Sequence, residues 1–198
     1  MSRLQTILEK MAADLDMLGA RWCLVGGLAV SVWGEPRLTR DVDVAVAVED
    51  DRQAEELIRE LRGRGYQDQE IIEQEAVGRL ATARLHSLAV PNGIVVDILF
   101  ASAGIEQEAV RDAIRVEVFE GLEVPVAPRP HLIVMKLLAR HDRDRPMDAD
   151  DLRSMLRNAT DEEIGQSRAL ARLVEDRGYA RGRSLVQLLD EAIVRMHR

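Results

Sequence analysis

Three aspartates and a pair of glycines set the chemistry this chain could perform. In Asp41-Val42-Asp43-Val44, carboxylates alternate with valines, so on a strand of period two both leave the same face side by side. Two like charges that close call for a divalent cation. Thirteen residues upstream of this pair lies Val25-Gly26-Gly27, an apolar run that ends in a Gly-Gly turn before a short apolar stretch, Leu28 to Trp33. A strand passing through such a turn into a helix presents free backbone N–H groups and the positive helix end, which together cradle a polyphosphate. A third carboxylate, Asp97, stands alone in Ile94-Val95-Val96-Asp97-Ile98-Leu99-Phe100. Even a neutral polar group buried without a partner costs about 2 to 7 kcal/mol, a cost that a metal ion at Asp97 would relieve.

A second informative segment runs from residue 128 to 157. Only Lys10 and Lys136 among the 27 basic residues are lysines, and Lys136 sits amid Leu132, Ile133, Val134, Met135, Leu137 and Leu138. It either snorkels out of an apolar helix or serves a site. Downstream come Arg140, Arg145, Asp148 and Asp151. Asp148 reads equally as the N-cap of the following helix, with Asp150 and Asp151 in its first turn, where negative charge is favourable by roughly 0.3 to 1 kcal/mol.

These elements resemble the nucleotidyltransferase superfamily related to polymerase beta, whose pattern is a hydrophobic residue, Gly-Gly or Gly-Ser, a short spacer and Asp-x-Asp in an apolar strand. Gly26, Gly27, Asp41 and Asp43 fall on it, and Asp97 matches the later acidic strand position. The Lys136 helix with Arg140, Arg145, Asp148 and Asp151 is similar to the AbiEii/AbiGii toxin-like branch; the chain departs from that branch at Met147, where lysine is common. Arg37-Leu38-Thr39-Arg40-Asp41 resembles the Arg-x-Ser/Thr-x-Asp of some members, although Thr39 could equally hold the loop by hydrogen bonds to backbone.

The resemblance implies a transferase that moves an NMP from an NTP to a hydroxyl acceptor. It implies that Asp41, Asp43 and Asp97 hold two Mg2+ ions (Mn2+ as a substitute), with Asp97 also taking the acceptor's proton. Gly26, Gly27, Arg37, Thr39, Lys136, Arg140, Asp148 and Asp151 would bind the nucleotide, Lys136 facing the departing pyrophosphate. Acceptors among toxin-like relatives are tRNA or other cellular targets, including protein, with an antitoxin as a possible partner. Aminoglycoside or lincosamide hydroxyls are the alternative, and a non-catalytic nucleotide-binding partner protein a further one.

Composition frames this. A chain of 198 residues, 46% hydrophobic, can bury one sizeable core. No apolar run is long enough to span a membrane, and the charged N-terminus reads as an amphipathic helix with Leu4, Ile7, Leu8, Met11, Leu15 and Leu18 on one face rather than as a signal peptide. The single cysteine, Cys23, can form no disulfide within the chain, and a cytoplasmic setting is expected. Net charge is −8: residues 1–130 carry 14 basic and 23 acidic side chains, residues 131–198 carry 13 and 12. No broad phosphate-backbone footprint is expected, and nucleic acid would be gripped locally, by Arg177, Arg181 and Arg183 unless these are simply solvated. His86, His131, His141 and His197 are scattered without zinc spacing.

The periodicities predict an α/β (α+β) fold: a small mixed sheet with flanking helices, then a helical C-terminal region, with core 1–130 and helices 131–198 packed on it as one cooperative unit. Strands are expected near 21–25, 41–48, 80–90 and 94–100, the last two joined by a Pro91-Asn92-Gly93 hairpin turn. Helices are expected at 51–64 and 105–114, and a strand pair around Gly121.

Overall fold

The computed structural model describes residues 2–88, 94–139 and 146–196, with the side chains of Pro146 and Met147 outside that description. In chain order the elements are α1 (Arg3–Met17), β1 (Trp22–Val25), α2 (Gly26–Trp33), β2 (Val42–Val46), α3 (Asp51–Gly63), β3 (Tyr66–Gln74), β4 (Arg79–Ser87), β5 (Val95–Leu99), α4 (Glu106–Arg111), β6 (Ile114–Phe119), β7 (Leu122–Val126), α5 (Arg129–Ala139), α6 (Pro146–Arg157), α7 (Asp161–Asp176) and α8 (Leu185–Met196). The fold is the expected mixed α/β architecture. Seven strands form one sheet in the order β3-β4-β5-β2-β1-β7-β6. β2 runs parallel to β5 and antiparallel to β1, which puts the end of β1 beside the starts of β2 and β5.

Local chemistry explains the helix ends. The Ser2 hydroxyl accepts from Gln5 N–H to start α1, and Ile7, Leu8, Met11 and Leu15 form its buried stripe. Asp50 caps α3, and Thr160 with Glu163 forms a reciprocal capping box at α7. Cys23 in β1 is fully buried, and burial pushes its thiol up to about 12, with Glu106 adding to the effect. No described helix is long and apolar enough to cross a membrane.

The structure differs from the sequence reading at several places. β3 was not anticipated. It lies at the sheet edge with seven consecutive exposed residues between its buried ends, so it has no alternation to betray it. The helix expected over 105–114 is shorter, because Ile114 opens β6 instead. The Pro91-Asn92-Gly93 turn lies outside the described residues, though β4 and β5 pair antiparallel around it. α5 packs against α2, α6, α7 and α8, so the C-terminal helices meet the sheet layer through α2. The Trp33 indole N–H reinforces this contact by donating to Ala127 O at 2.8 Å.

Candidate active site

One row of residues crosses the sheet at the level where β1 ends. Val25 is register partner of Asp43, Asp43 of Asp97, and Asp97 of Arg84. Beyond Val25 the chain turns at Gly26, whose φ is +63°, directly into α2. A Cβ at Gly26 would lie 2.0 Å from Asp43 Oδ2, so glycine is required both by the left-handed backbone and by the carboxylate pressed against it. No side chain caps α2. Instead Gly27 N–H donates to Asp43, so the helix end that was expected to meet phosphate meets a carboxylate here.

Asp43 and Asp97 sit side by side, and Arg84 grips Asp97 with two parallel bonds of 2.8 Å, Nε to Oδ1 and Nη2 to Oδ2. Burial pushes the Asp43 carboxyl up to about 6, Asp97 and Asp41 push the same way, and Lys136 and the Gly27 amide oppose them. Arg84 is in turn held above its ordinary value by its bond to Asp97. Asp41 precedes β2 and is exposed, with Thr39 Oγ1 donating to its carbonyl at 3.4 Å.

A second cluster faces this row. Lys136 Nζ lies 2.7 Å from Asp148 Oδ1 and 2.8 Å from Asp151 Oδ2. Arg37 reaches the same Asp151, with Nε 2.6 Å from Oδ1 and Nη2 donating to Oδ2 at 2.9 Å. The Asp151 side chain is only 2% exposed and that of Lys136 14%. Lys136 therefore does not snorkel to solvent. Asp148 is not the N-cap either: α6 begins at Pro146, and Asp148 is buried in its first turn against the lysine. The Asp148 Oδ2 atom is buried without a hydrogen-bond partner among the described residues.

Gly27 links the two clusters. A Cβ there would come within 2.8 Å of both Arg37 Nη2 and Thr39 Oγ1. Ser154 of α6, which sequence reasoning did not single out, accepts from Glu35 N–H at 2.6 Å and stitches the 34–40 loop to that helix. Arg84 was also missed. Its signal was an arginine in a strand facing the lone aspartate of the next, once the hairpin register is counted.

The structure thus brings together Gly26, Gly27, Arg37, Thr39, Asp43, Asp97, Lys136, Asp148 and Asp151, with Asp41 at the rim. Arg140 lies outside the described residues. Of Arg177, Arg181 and Arg183, the first pairs with Glu108 at 2.7 Å and with the Gly104 carbonyl, the third donates to Leu138 O, and Arg181 is exposed. Among the described residues no three His, Cys, Asp or Glu side chains are gathered tightly enough to enclose an ion. The donor chemistry nevertheless fits a hard divalent cation: all oxygen, with like charges crowded at Asp43 that a cation would relieve.

A sequence profile described as nucleotidyl transferase AbiEii toxin, type IV TA system, matches residues 9–197. No curated protein matches the chain in sequence. Among solved structures, an antigenic nucleotidyltransferase-like protein from Paracoccidioides brasiliensis is 22% identical, covering 97% of this chain and 92% of its own, with a TM-score of 0.50. The antibiotic-resistance factor ANT(2'')-Ia is 18% identical over 97% of this chain and 91% of its own, also at 0.50. A lincosamide antibiotic adenylyltransferase solved with lincomycin is 16% identical over 75% and 95%, at 0.49. With the profile matched over nearly its whole length, the chain belongs to the AbiEii nucleotidyltransferase toxin family and is a transferase.

Proposed function

We propose that this cleft transfers an NMP from an NTP to a hydroxyl acceptor on RNA or tRNA, or on protein. The observation that carries the reading is the row Gly26, Asp43, Asp97: a backbone turn fit for phosphate set directly against paired carboxylates. The acceptor oxygen attacks the α-phosphorus, the bond to the β-phosphate bridge breaks, pyrophosphate leaves, and the hydroxyl proton passes to Asp97. No covalent enzyme intermediate is needed.

Each residue has a physical task. The amides of Gly26 and Gly27 bind the β- and γ-phosphates once Asp43 turns from Gly27. Lys136 neutralises the pyrophosphate, while Arg37, Thr39 and Arg140 orient the nucleotide. Asp148 and Asp151 hold Lys136 and Arg37 for it. Asp41, Asp43 and Asp97 would hold Mg2+ ions, two in number and replaceable by Mn2+. Bound there, the ions supply charge stabilisation and lower the pKa of the acceptor hydroxyl.

We further propose that residues 1–130 act as the catalytic core and 131–198 as a helical region closing over it, in the cytoplasm, with an antitoxin as regulatory partner. The −9 balance of residues 1–130 favours one second reading, transfer to a cationic aminoglycoside. Incubation with each α-labelled NTP, Mg2+ and total bacterial RNA, with Asp43→Ala alongside, tests the proposal. Label in RNA that vanishes in the variant supports it and names the nucleotide. No label in RNA or protein, with label on an aminoglycoside in a parallel incubation that supplies one, supports the second reading, and NTP binding without transfer to any acceptor leaves a non-catalytic binder.

A further inference from the structure

The carboxylate row extends beyond Asp97. Asp43 is register partner of Asp97, Asp97 of Arg84, and Arg84 of Glu70 on β3, so the charges run carboxylate, carboxylate, guanidinium, carboxylate across four strands. The last member stands there because of an irregularity. Asp68 pairs with Leu85 and Glu70 with Arg84, which leaves Gln69 as the extra residue of a β-bulge. Without the bulge the uncharged Gln69 would oppose Arg84. Bulges re-aim side chains, and this one gives Arg84 a second carboxylate, with Glu70 Oε2 3.8 Å from Nη1. The two partners differ in environment: the Asp97 side chain is 13% exposed and holds the fork, whereas that of Glu70 is 57% exposed at the sheet edge.

We infer that Arg84 is a strap with two positions, held on Asp97 while the row lacks a cation and passed to Glu70 when one binds. The fork takes a lone pair on each Asp97 oxygen and fixes the plane of the carboxyl. A divalent ion shared by Asp43 and Asp97 competes for those two oxygens and is repelled by the guanidinium on them. Moving the guanidinium to Glu70 frees Asp97 and separates the like charges. Because Glu70 receives it, the release leaves no unpaired cation behind, which is the costly outcome when one partner of an ion pair is withdrawn. Arg84 is thus a positioning residue that acts on the metal through Asp97. The inference rests on the reading that Asp43 and Asp97 hold Mg2+.

Mn2+ binding without NTP, read from the electron paramagnetic resonance signal of the free ion, tests the strap. Arg84→Lys keeps the charge but cannot form the fork, and is expected to tighten Mn2+ binding about tenfold, the low end of what groups bonded to metal-ligating side chains do to affinity. A purely electrostatic role would leave that variant at the parent affinity. Glu70→Gln, at an exposed edge position, removes the second berth without touching Arg84 and should weaken binding by about two- to threefold, near the smallest coupling that contacting residues show. In an Arg84→Gln background the same Glu70→Gln change should do nothing, whereas a direct attraction of Glu70 for the ion would persist there. Parent or weaker affinity in Arg84→Lys, or an equal loss from Glu70→Gln in both backgrounds, would overturn the strap. The metal reading beneath it fails differently: Asp43→Ala would bind Mn2+ as tightly as the parent, or neither the parent nor Arg84→Lys would bind it.

Discussion

The two walls of the cleft are built from similar residues but balance their charge differently. On the sheet wall, Asp41, Asp43 and Asp97 share Arg84, which is spent on Asp97. On the helical wall, Lys136 and Arg37 face Asp148 and Asp151 one for one. The unbalanced wall is held in place by the sheet, whose register forces Asp43 against Asp97 whatever their repulsion. The balanced wall has no such frame, since its members come from a loop and two helices, and the ion pairs themselves tie these together. A wall strained by excess negative charge is suited to acquiring a cation, and a neutral wall is suited to holding its shape. Function and stability should accordingly divide between them.

The largest effects break that division. Asp43→Ala should lower transfer by more than about 100-fold, beyond what loss of a group that only orients a metal ligand causes. Its melting temperature in metal-free buffer should match the parent or exceed it, because a crowded like charge is gone. Mg2+ should stabilise the parent by about 2.7 kcal/mol at a hundredfold excess over Kd and leave Asp43→Ala unmoved. A variant that melts far lower, or that still gains stability with Mg2+, would show that the sheet wall is structural.

Asp151→Ala should do the reverse. It strands Lys136 and Arg37 together, and breaking a buried pair costs about 3 to 5 kcal/mol; partial exposure of both cations puts the expected loss in urea unfolding near the lower end, about 3 kcal/mol. The exposed Arg153–Asp150 pair on the same helix is the control, and Asp150→Ala should cost less than about 1 kcal/mol. Equal losses from Asp150→Ala and Asp151→Ala would deny the helical wall its tying role. The unfolding of both variants should remain a single transition by fluorescence and circular dichroism if residues 1–130 and 131–198 form one cooperative unit.

The sheet wall was far more legible in the sequence than the helical one. Asp41-Val42-Asp43 and the lone Asp97 announce themselves because strand period is two and an aspartate is conspicuous among valines and isoleucines. Gly-Gly before a helix marks the turn for the same reason of contrast. Lys136, Asp148 and Asp151 could be named, but their mutual pairing depends on how α5 crosses α6, which no local period encodes. Arg84 escaped because its role is fixed by hairpin register across a turn, and β3 escaped because an edge strand exposed along its length has no buried face to pattern it.

The two glycines at the head of α2 give the finest division, because one abuts each wall. Gly26→Ala must place an L-residue at φ +63°, a cost of roughly 1 to 2 kcal/mol, and its Cβ would overlap the Asp43 carboxylate. The aspartate has to rotate away, so transfer should fall far more than this stability loss would account for. Gly27→Ala meets no such backbone strain. Its Cβ would press on the end of the Arg37 side chain at 2.8 Å and on the Thr39 hydroxyl and Cβ at 2.8 and 3.1 Å; the guanidinium can shift, the short β-branched threonine less easily, and the advantage of alanine over glycine in a helix, about 1 kcal/mol, offsets part of that cost. The expected result in thermal unfolding is a change within about 1 kcal/mol of the parent, with a weakened NTP affinity as Arg37 moves. If Gly27→Ala instead abolished transfer while Gly26→Ala preserved it, the phosphate-facing amide would belong to the helical wall, and the division drawn between the two walls would have to be redrawn at Gly27.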